Sequence, residues 1–258
     1  MRRDYHMHPR IVQRPEWVEE FIRVAVSKNI KEICITDHMP LSLSTASDRI
    51  PHGTVGEYCQ RVRELARRYE GIVDIRMGIE IDYHPTVMDE IDRVLDAGNF
   101  DYVLGSSHMH VFVADFEKYT FDDFAVLALE NSIRTAEDGR FSAISHPDMY
   151  RWVFRQRERF PLADSGYTPE KHKDLWEHLF DSVRKNGVLL ELNPHLAESK
   201  GSLEYVYPQD TVTSWALARG VGFSYGSDAH KPESVGALLD ELESHAAYGA
   251  AIREWENV

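Results

Sequence analysis

Cysteine is nearly missing from this chain: Cys34 and Cys59 are the only two in 258 residues. Two thiols cannot build a disulfide framework or a cysteine-rich zinc site, and such scarcity suits a reducing compartment, so a cytoplasmic protein is expected. Cys34, inside an apolar run, reads as buried and inert. Basic side chains are also in deficit, 29 Lys and Arg against 43 Asp and Glu, for a net charge of −14. A surface of that sign is poorly built to neutralise a phosphate backbone, so no nucleic-acid partner is expected. Long apolar runs are absent as well. The opening residues MRRDYHMHP lead into polar sequence without an apolar stretch of signal-peptide length. No later run reaches the length of a membrane span, so no membrane partner is expected either. There is no Gly/Ser linker and no low-complexity segment. With 43% hydrophobic residues the chain can bury one sizeable core, and a single domain over residues 1–258 is the expectation. Against these absences stands one excess, thirteen histidines.

Short apolar runs rich in β-branched residues alternate with longer stretches of helical period. The runs are residues 3–7, 32–36, 73–81, 101–105, 142–145, 188–192 and 221–226. Several are apolar almost throughout, as parallel strands covered on both faces are. Trp17, Phe21, Val24 and Ala25 recur at helical spacing in the first interval. Val55, Tyr58, Cys59, Val62, Leu65, Ala66 and Tyr69 do so in the second, and both stripes read as core-facing. Thr54 with Glu57 reads as a capping box, Pro169 and Tyr207-Pro208 as helix starts, and Gly187 and Gly220 as helix stops. Two longer loops, 39–53 and 149–168, are candidate walls or lids over a site. Seven βα units in a chain of this length predict an α/β fold, a closed parallel barrel one unit short of the usual eight. A doubly wound open sheet is the alternative.

The polar residues favour the barrel. His6 and His8 close the first run, Asp37 and His38 the second, and Glu80 and Asp82 the third; His108 and His110 follow the fourth. His146 and Asp148 close the fifth, Glu191, Asn193 and His195 end the sixth, and Asp228 and His230 follow the seventh. In a barrel these strand ends form one ring, so residues from position 6 to position 230 converge on a single pocket. His6-x-His8 puts two imidazoles on the same side of an extended backbone, where they can share a cation. Imidazoles with a few carboxylates and no thiolates suit Zn, Mn or Fe. More ligands are present than one ion needs, and Glu80 can give one oxygen to each of two cations. Two or three divalent metal ions are therefore expected.

The motifs DYHMH, ITDHMP, GIEIDY, GSSHMH, ISHPD and YGSDAH, in that order, resemble the polymerase-and-histidinol-phosphatase (PHP) family. Within it the chain looks most like the stand-alone histidinol-phosphate phosphatases. The resemblance implies a distorted seven-stranded TIM-like (β/α)7 barrel. It also implies one metal on His6, His8, Glu80 and Asp228, a second on Glu80, His108 and His146, and a third on His38 and His230. Many members of the family add a histidine shortly after the HxH pair, whereas positions 9–15 hold none; Gln13 is a weak substitute, and a loosely held or absent third ion the alternative. The sixth strand end also departs from the family, which there often carries a basic side chain for the substrate phosphate. Lys200 and His195 are candidates for that role, as are Arg151 and Arg155, whose guanidinium groups suit bidentate phosphate contact. Arg157 and Arg159 read as solvated.

The implied activity is metal-dependent hydrolysis of a small-molecule phosphate ester, L-histidinol phosphate above all, by attack of a metal-bridging hydroxide. Glu80, Asp228, His230 and His38 are the expected catalytic residues, with Asp37 as a further proton donor. Asp82, Asp148 and His110 are candidates to support metal-bound imidazoles. His52, His84, His172, His178 and His245 fall away from the strand ends and read as surface or capping residues. A nuclease or nucleotide phosphoesterase, and a non-catalytic metal-binding barrel, are the rival readings.

Overall fold

The computed structural model describes residues 1–44, 46–112, 119–153 and 168–256. Its seven strands are β1 (Arg3–Asp4), β2 (Glu32–Ile35), β3 (Asp74–Asp82), β4 (Tyr102–Ser106), β5 (Ala143–Ile144), β6 (Leu189–Leu192) and β7 (Phe223–Tyr225). Each falls within or beside an expected run, although β1, β5 and β7 are shorter. All neighbours are parallel and stand in chain order, β1 through β7. An open doubly wound sheet reverses its order at a switch point, and this one does not. Instead the ends meet: Tyr5 N donates to Tyr225 O at 3.0 Å, Asp228 N to His6 O at 2.8 Å and His8 N to Ala229 O at 2.8 Å. The fold is a seven-stranded (β/α) barrel.

The helices cover the outside because their apolar residues recur with helical period. Helix α1 (Val18–Ser27) buries Val18, Phe21, Ile22 and Ala25. Helix α2 (Val55–Arg68) buries Val55, Tyr58, Cys59, Val62 and Leu65. The Tyr58 hydroxyl lies 2.8 Å from Ile35 O and 2.7 Å from Gly78 O, which fastens α2 across β2 and β3. Helix α3 (Met88–Ala97) follows β3, and the short α4 (Met109–Phe112) follows β4. Helix α5 (Phe121–Asp138) packs on α7 (Lys173–Asn186), and the short α6 (Tyr150–Val153) leaves β5. Gly187 ends α7 at φ 69°, a left-handed turn that glycine adopts without steric cost. Helices α8 (His195–Lys200) and α9 (Asp210–Ala218) flank the β6–β7 crossover, and α10 (Leu239–Ser244) and α11 (Ala246–Glu256) complete the shell. Among the described residues no helix is long and apolar enough to cross a membrane.

Two local expectations are corrected. Thr54 does not cap α2: its backbone is not extended (φ −109°, ψ 12°), its hydroxyl donates to Pro51 O at 2.8 Å, and Glu57 pairs with Arg61. A complete capping box stands instead at Thr120 and Asp123, opening α5. Pro208 follows a cis peptide bond, and α9 begins only at Asp210.

Below the functional end the barrel is filled by a compact apolar layer. Cys34, Tyr102, Leu104 and Ala143 form it, and the Tyr102 hydroxyl donates across the barrel to Ser224 Oγ at 2.9 Å. The histidine and carboxylate cluster lies above this layer, at the C-terminal ends of the strands, where a barrel of this kind places its chemistry.

Candidate metal centre

The backbone delivers the ligands one strand end at a time. Met7, fully buried, points into the core and bridges to Ala229, so His6 and His8 on either side of it turn together into the barrel mouth. Beyond β2 the chain continues alongside β3, with Met39 N donating to Glu80 O at 2.9 Å, and this sets His38 beside Glu80. His146 and Asp228 adopt positive φ (27° and 54°), a conformation uncommon for a side-chain-bearing residue that costs about 1–3 kcal/mol and concentrates at functional sites. Gly226 permits the closest approach. A Cβ there would lie 2.2 Å from Glu191 Oε1 and 2.4 Å from His6 Cβ.

Glu80 is the hub. Its Oε2 lies 3.3 Å from His6 Nε2, 3.4 Å from His8 Nε2 and 2.7 Å from His38 Nδ1. Its Oε1 lies 3.0 Å from His146 Nε2 and 3.7 Å from His108 Nε2, and accepts a hydrogen bond from Ser106 Oγ. Asp228 Oδ1 is 3.2 Å from His8 Nε2, 3.7 Å from His6 Nε2 and 3.4 Å from His230 Nδ1. The eight residues that the family resemblance implied as metal ligands are thus brought into one cluster. All are buried except His230, which is partly exposed, and His38, which borders on it.

Three atoms of this cluster, His8 Nδ1, His38 Nδ1 and Glu80 Oε2, are buried without a hydrogen-bond partner, even though the last two lie close together. Buried polar atoms in folded proteins are nearly all satisfied. Unsatisfied nitrogen and oxygen atoms converging at a carboxylate are what a cation would satisfy, and the His/Glu/Asp donor set without thiolate suits a divalent transition metal. Several overlapping triads are near enough to share an ion, among them His6–Glu80–His146, His6–His8–Asp228 and His8–His38–His230.

Around the ligands a further ring of groups fixes the imidazoles. His6 Nδ1 lies 2.6 Å from Glu191 Oε1, while Glu191 Oε2 accepts from His146 N at 2.8 Å and Asn193 Nδ2 at 3.0 Å. His108 Nδ1 lies 2.7 Å from Asp82 Oδ1, and Asp82 Oδ2 is held by Arg49. A carboxylate on Nδ1 sets the tautomer that leaves Nε2 as the metal donor. Burial opposes ionisation of Glu80, but His38, His6 and His108 outweigh it and hold the carboxyl well below its usual range. Asp228 is likewise held down by His6 and His195 against its burial. Burial opposes a charged His6, yet Glu191, Asp228 and Glu80 push its pKa well above normal. His8 goes the other way, lowered by burial and then by His38 and His230.

The centre opens into a cavity of 690 Å³. His38, His108, His146, Asp228 and His230 face it from the metal side. Leu43, Ser44, Asp48 and Arg49 line it from the 39–53 loop, and Met149, His195 and Tyr207 from the opposite side. The first expected long loop is therefore a wall; 154–167, the greater part of the second, with Arg155, Arg157 and Arg159, lies outside the described residues.

Other expected roles change. Arg151 does not line the cavity: it pairs with Asp148 at 2.7 Å, donates to Glu204 O and Val206 O, and sits over the Tyr207 ring. A guanidinium so occupied has little left for a phosphate. Asp148 consequently supports Arg151 and Gln209 N, not an imidazole. Lys200 is exposed at the far end of α8 and is not among the residues that line the cavity, whereas His195 at the start of that helix lines it. Asp37 accepts from Arg10 N (2.8 Å) and Ile11 N (2.9 Å), so this carboxyl, pushed up to about 6 by burial, anchors the turn after His8 and is not a cavity group. Gln13 is exposed and donates to Arg49 O, so it does not reach the cluster. The side chain of His110 lies outside the described set. His84 stacks on Phe112, His172 and His178 face Asp122 and Glu137, His245 packs on Tyr248 and His52 is exposed. Sequence reasoning missed Arg49, for which membership of a wall loop was the sole signal.

Comparison with known proteins agrees with this architecture. A protein of Deinococcus radiodurans named "Probable histidinol-phosphatase" is 28% identical over 247 residues, which cover 90% of this chain and 88% of that one. The histidinol-phosphatase of Bacillus subtilis is 22% identical over 263 residues, 91% of this chain and 96% of its own. The crystal structure of histidinol phosphate phosphatase from Lactococcus lactis, complexed with zinc, L-histidinol and phosphate, has the same fold, with a TM-score of 0.74 at 17% identity over 97% of this chain and 93% of that one. The PHP domain profile matches residues 4–195, well over half the length and including most of the Glu80 cluster, and the chain belongs to the PHP domain family.

Proposed function

We propose that this protein is a metal-dependent phosphomonoesterase that converts L-histidinol phosphate to L-histidinol and phosphate, a step of histidine biosynthesis, in the cytoplasm. The observation that carries the reading is the juxtaposition of the Glu80 cluster with a cavity of small-molecule size, 690 Å³. Relatives along nearly the whole chain bear the histidinol-phosphatase name. The two thiols, both buried and unpaired, suit a reducing compartment.

His6, His8, Glu80 and Asp228 are assigned to one metal and Glu80, His108 and His146 to a second, with His38 and His230 available to a third. Bound there, such ions supply Lewis acidity and acidify water, which offsets the charge that makes phosphate esters so resistant to attack. The protein's own contribution is to fix the donors. Glu191 and Asp82 hold the His6 and His108 rings, Asn193 Nδ2 steadies Asp228 Oδ2 at 3.2 Å, and Ser106 steadies Glu80. Arg49 lines the cavity, held in place by Asp82, and we assign it to the substrate phosphate in place of Arg151 and Lys200, which do not line it. Asp48 beside it gives the cavity wall a negative charge for the amino group of the substrate.

The test is phosphate release by the metal-loaded protein from histidinol phosphate, set against a panel of sugar and nucleotide monoesters. Preference for histidinol phosphate is expected. Activity confined to another ester would replace the substrate, and no release from any ester would leave a metal-binding scaffold. Salt-sensitive binding and cleavage of single-stranded DNA would favour the nuclease reading, against which the net charge of −14 argues.

A further inference from the structure

The metal assignments above leave one histidine of the cavity unused. His195 opens α8, outside residues 9–15 and outside the triads at Glu80, yet it forms a triad of its own with Asp228 and His230. We propose that His195 is a metal ligand and that, with Asp228 and His230, it holds a divalent cation at the mouth of the cavity.

Three observations support the site. One nitrogen from each ring and one Asp228 oxygen lie within 4.8 Å of one another. Both rings are already positioned by the same group, since Nδ1 of His195 and Nδ1 of His230 each lie 3.0 Å from the Asp228 carbonyl oxygen. A carbonyl oxygen has two lone pairs, so it can accept both protons, and each ring then retains an Nε2 lone pair as donor. Finally, the backbone bringing His195 here is tied to the same aspartate. His195 N donates to Asn193 Oδ1 at 3.0 Å, and Asn193 Nδ2 donates to Asp228 Oδ2 at 3.2 Å. Asn193 therefore couples the start of α8 to a carboxylate that also faces His8, and Asp228 at the rim parallels Glu80 in the interior as a group able to serve two ions. Residues 9–15 offer no competing donor, because Gln13 is exposed and its amide nitrogen is turned to Arg49 O, away from the cluster. A side chain from the start of α8 takes up the open coordination of His230.

The inference rests on the metal centre and not on the identity of the substrate, so it is read without catalysis. Equilibrium dialysis against Zn(II) at a series of fixed free concentrations, with bound metal measured by mass spectrometry, should give one more equivalent on the unmodified protein than on His195→Gln. The remaining equivalents should bind with unchanged affinity. His195→Asp, which returns an anionic donor, should restore the extra equivalent, and thermal unfolding with and without zinc checks that both variants are folded. Equal stoichiometry and affinity for His195→Gln and the unmodified protein would overturn the proposal. So would a failure of His195→Asp to regain metal in a folded protein. If His195→Gln raised KM for the ester while keeping every ion, His195 would be a substrate contact and the proposal would again fall. A protein that binds the extra ion yet hydrolyses no phosphate ester would refute the phosphatase reading alone.

Discussion

The interior cluster at Glu80 and the rim triad at Asp228 use the same side-chain types but orient them by different means. In the interior, His6 and His108 are held by buried carboxylates, Glu191 and Asp82. At the rim, His195 and His230 are held by a neutral backbone carbonyl, and His195 is exposed. A carboxylate behind an imidazole makes it a stronger donor, and burial keeps water from competing for the ion. The contrast predicts a resident interior pair and an exchangeable ion at the mouth.

The largest effect that would break this contrast is expected from Glu80→Gln. The amide keeps the shape but loses the charge that neighbouring cations share, so both interior metals and at least about a thousandfold of turnover should be lost together. Metal content measured beside phosphate release checks this; full activity with full metal would refute the hub role. Glu191→Gln and Asp82→Asn come next, each weakening interior metal affinity roughly 10–100-fold. Competition with a chelating dye reads that shift, and for Asp82→Asn the rim equivalent should be untouched. Limited chelator sharpens the same comparison without mutation: one equivalent should leave first and rapidly, the rest slowly. Arg49→Ala should raise KM for the ester and the inhibition constant of inorganic phosphate about tenfold, from the loss of a charge-assisted contact. Because Arg49 also touches Asp82, its metal content is the control; a loss of metal without a change in KM would make it a positioning residue. The smallest effect lies far from both regions. Thr120→Ala removes the capping box of α5 and should cost about 1 kcal/mol of stability in a denaturant titration, with metal binding unaffected.

The ring of ligands was legible because strand periodicity and barrel closure are global rules: once seven parallel strands are recognised, their C-terminal ends must meet. His6, Glu80, His108 and Asp228 stand at those ends, and their assignment as metal ligands was implied by the family resemblance. What the pattern could not supply is which neighbour each ligand leans on. Glu191 faces His6 across 185 positions of sequence, and Arg49 reaches Asp82 from a loop whose path no periodicity describes. Arg151 misled for a local reason. It follows Asp148 by three residues, one helical turn, and that short-range ion pair satisfies the guanidinium before any substrate arrives. His195 was visible as a cavity residue, but its role depends on where the Asp228 carbonyl points.

The closure between β1 and β7 carries a consequence for biogenesis. Asp228 N donates to His6 O and Ser227 N to Asp4 Oδ1, so the two strands that close the barrel are joined across more than 220 positions of sequence. Contacts spanning more than 220 positions are entropically costly to close and slow folding. Until they form, the His6–His8 pair stands without Asp228 opposite it. An ion held jointly by these residues would therefore bind late in folding, coupled to the final locking of the barrel.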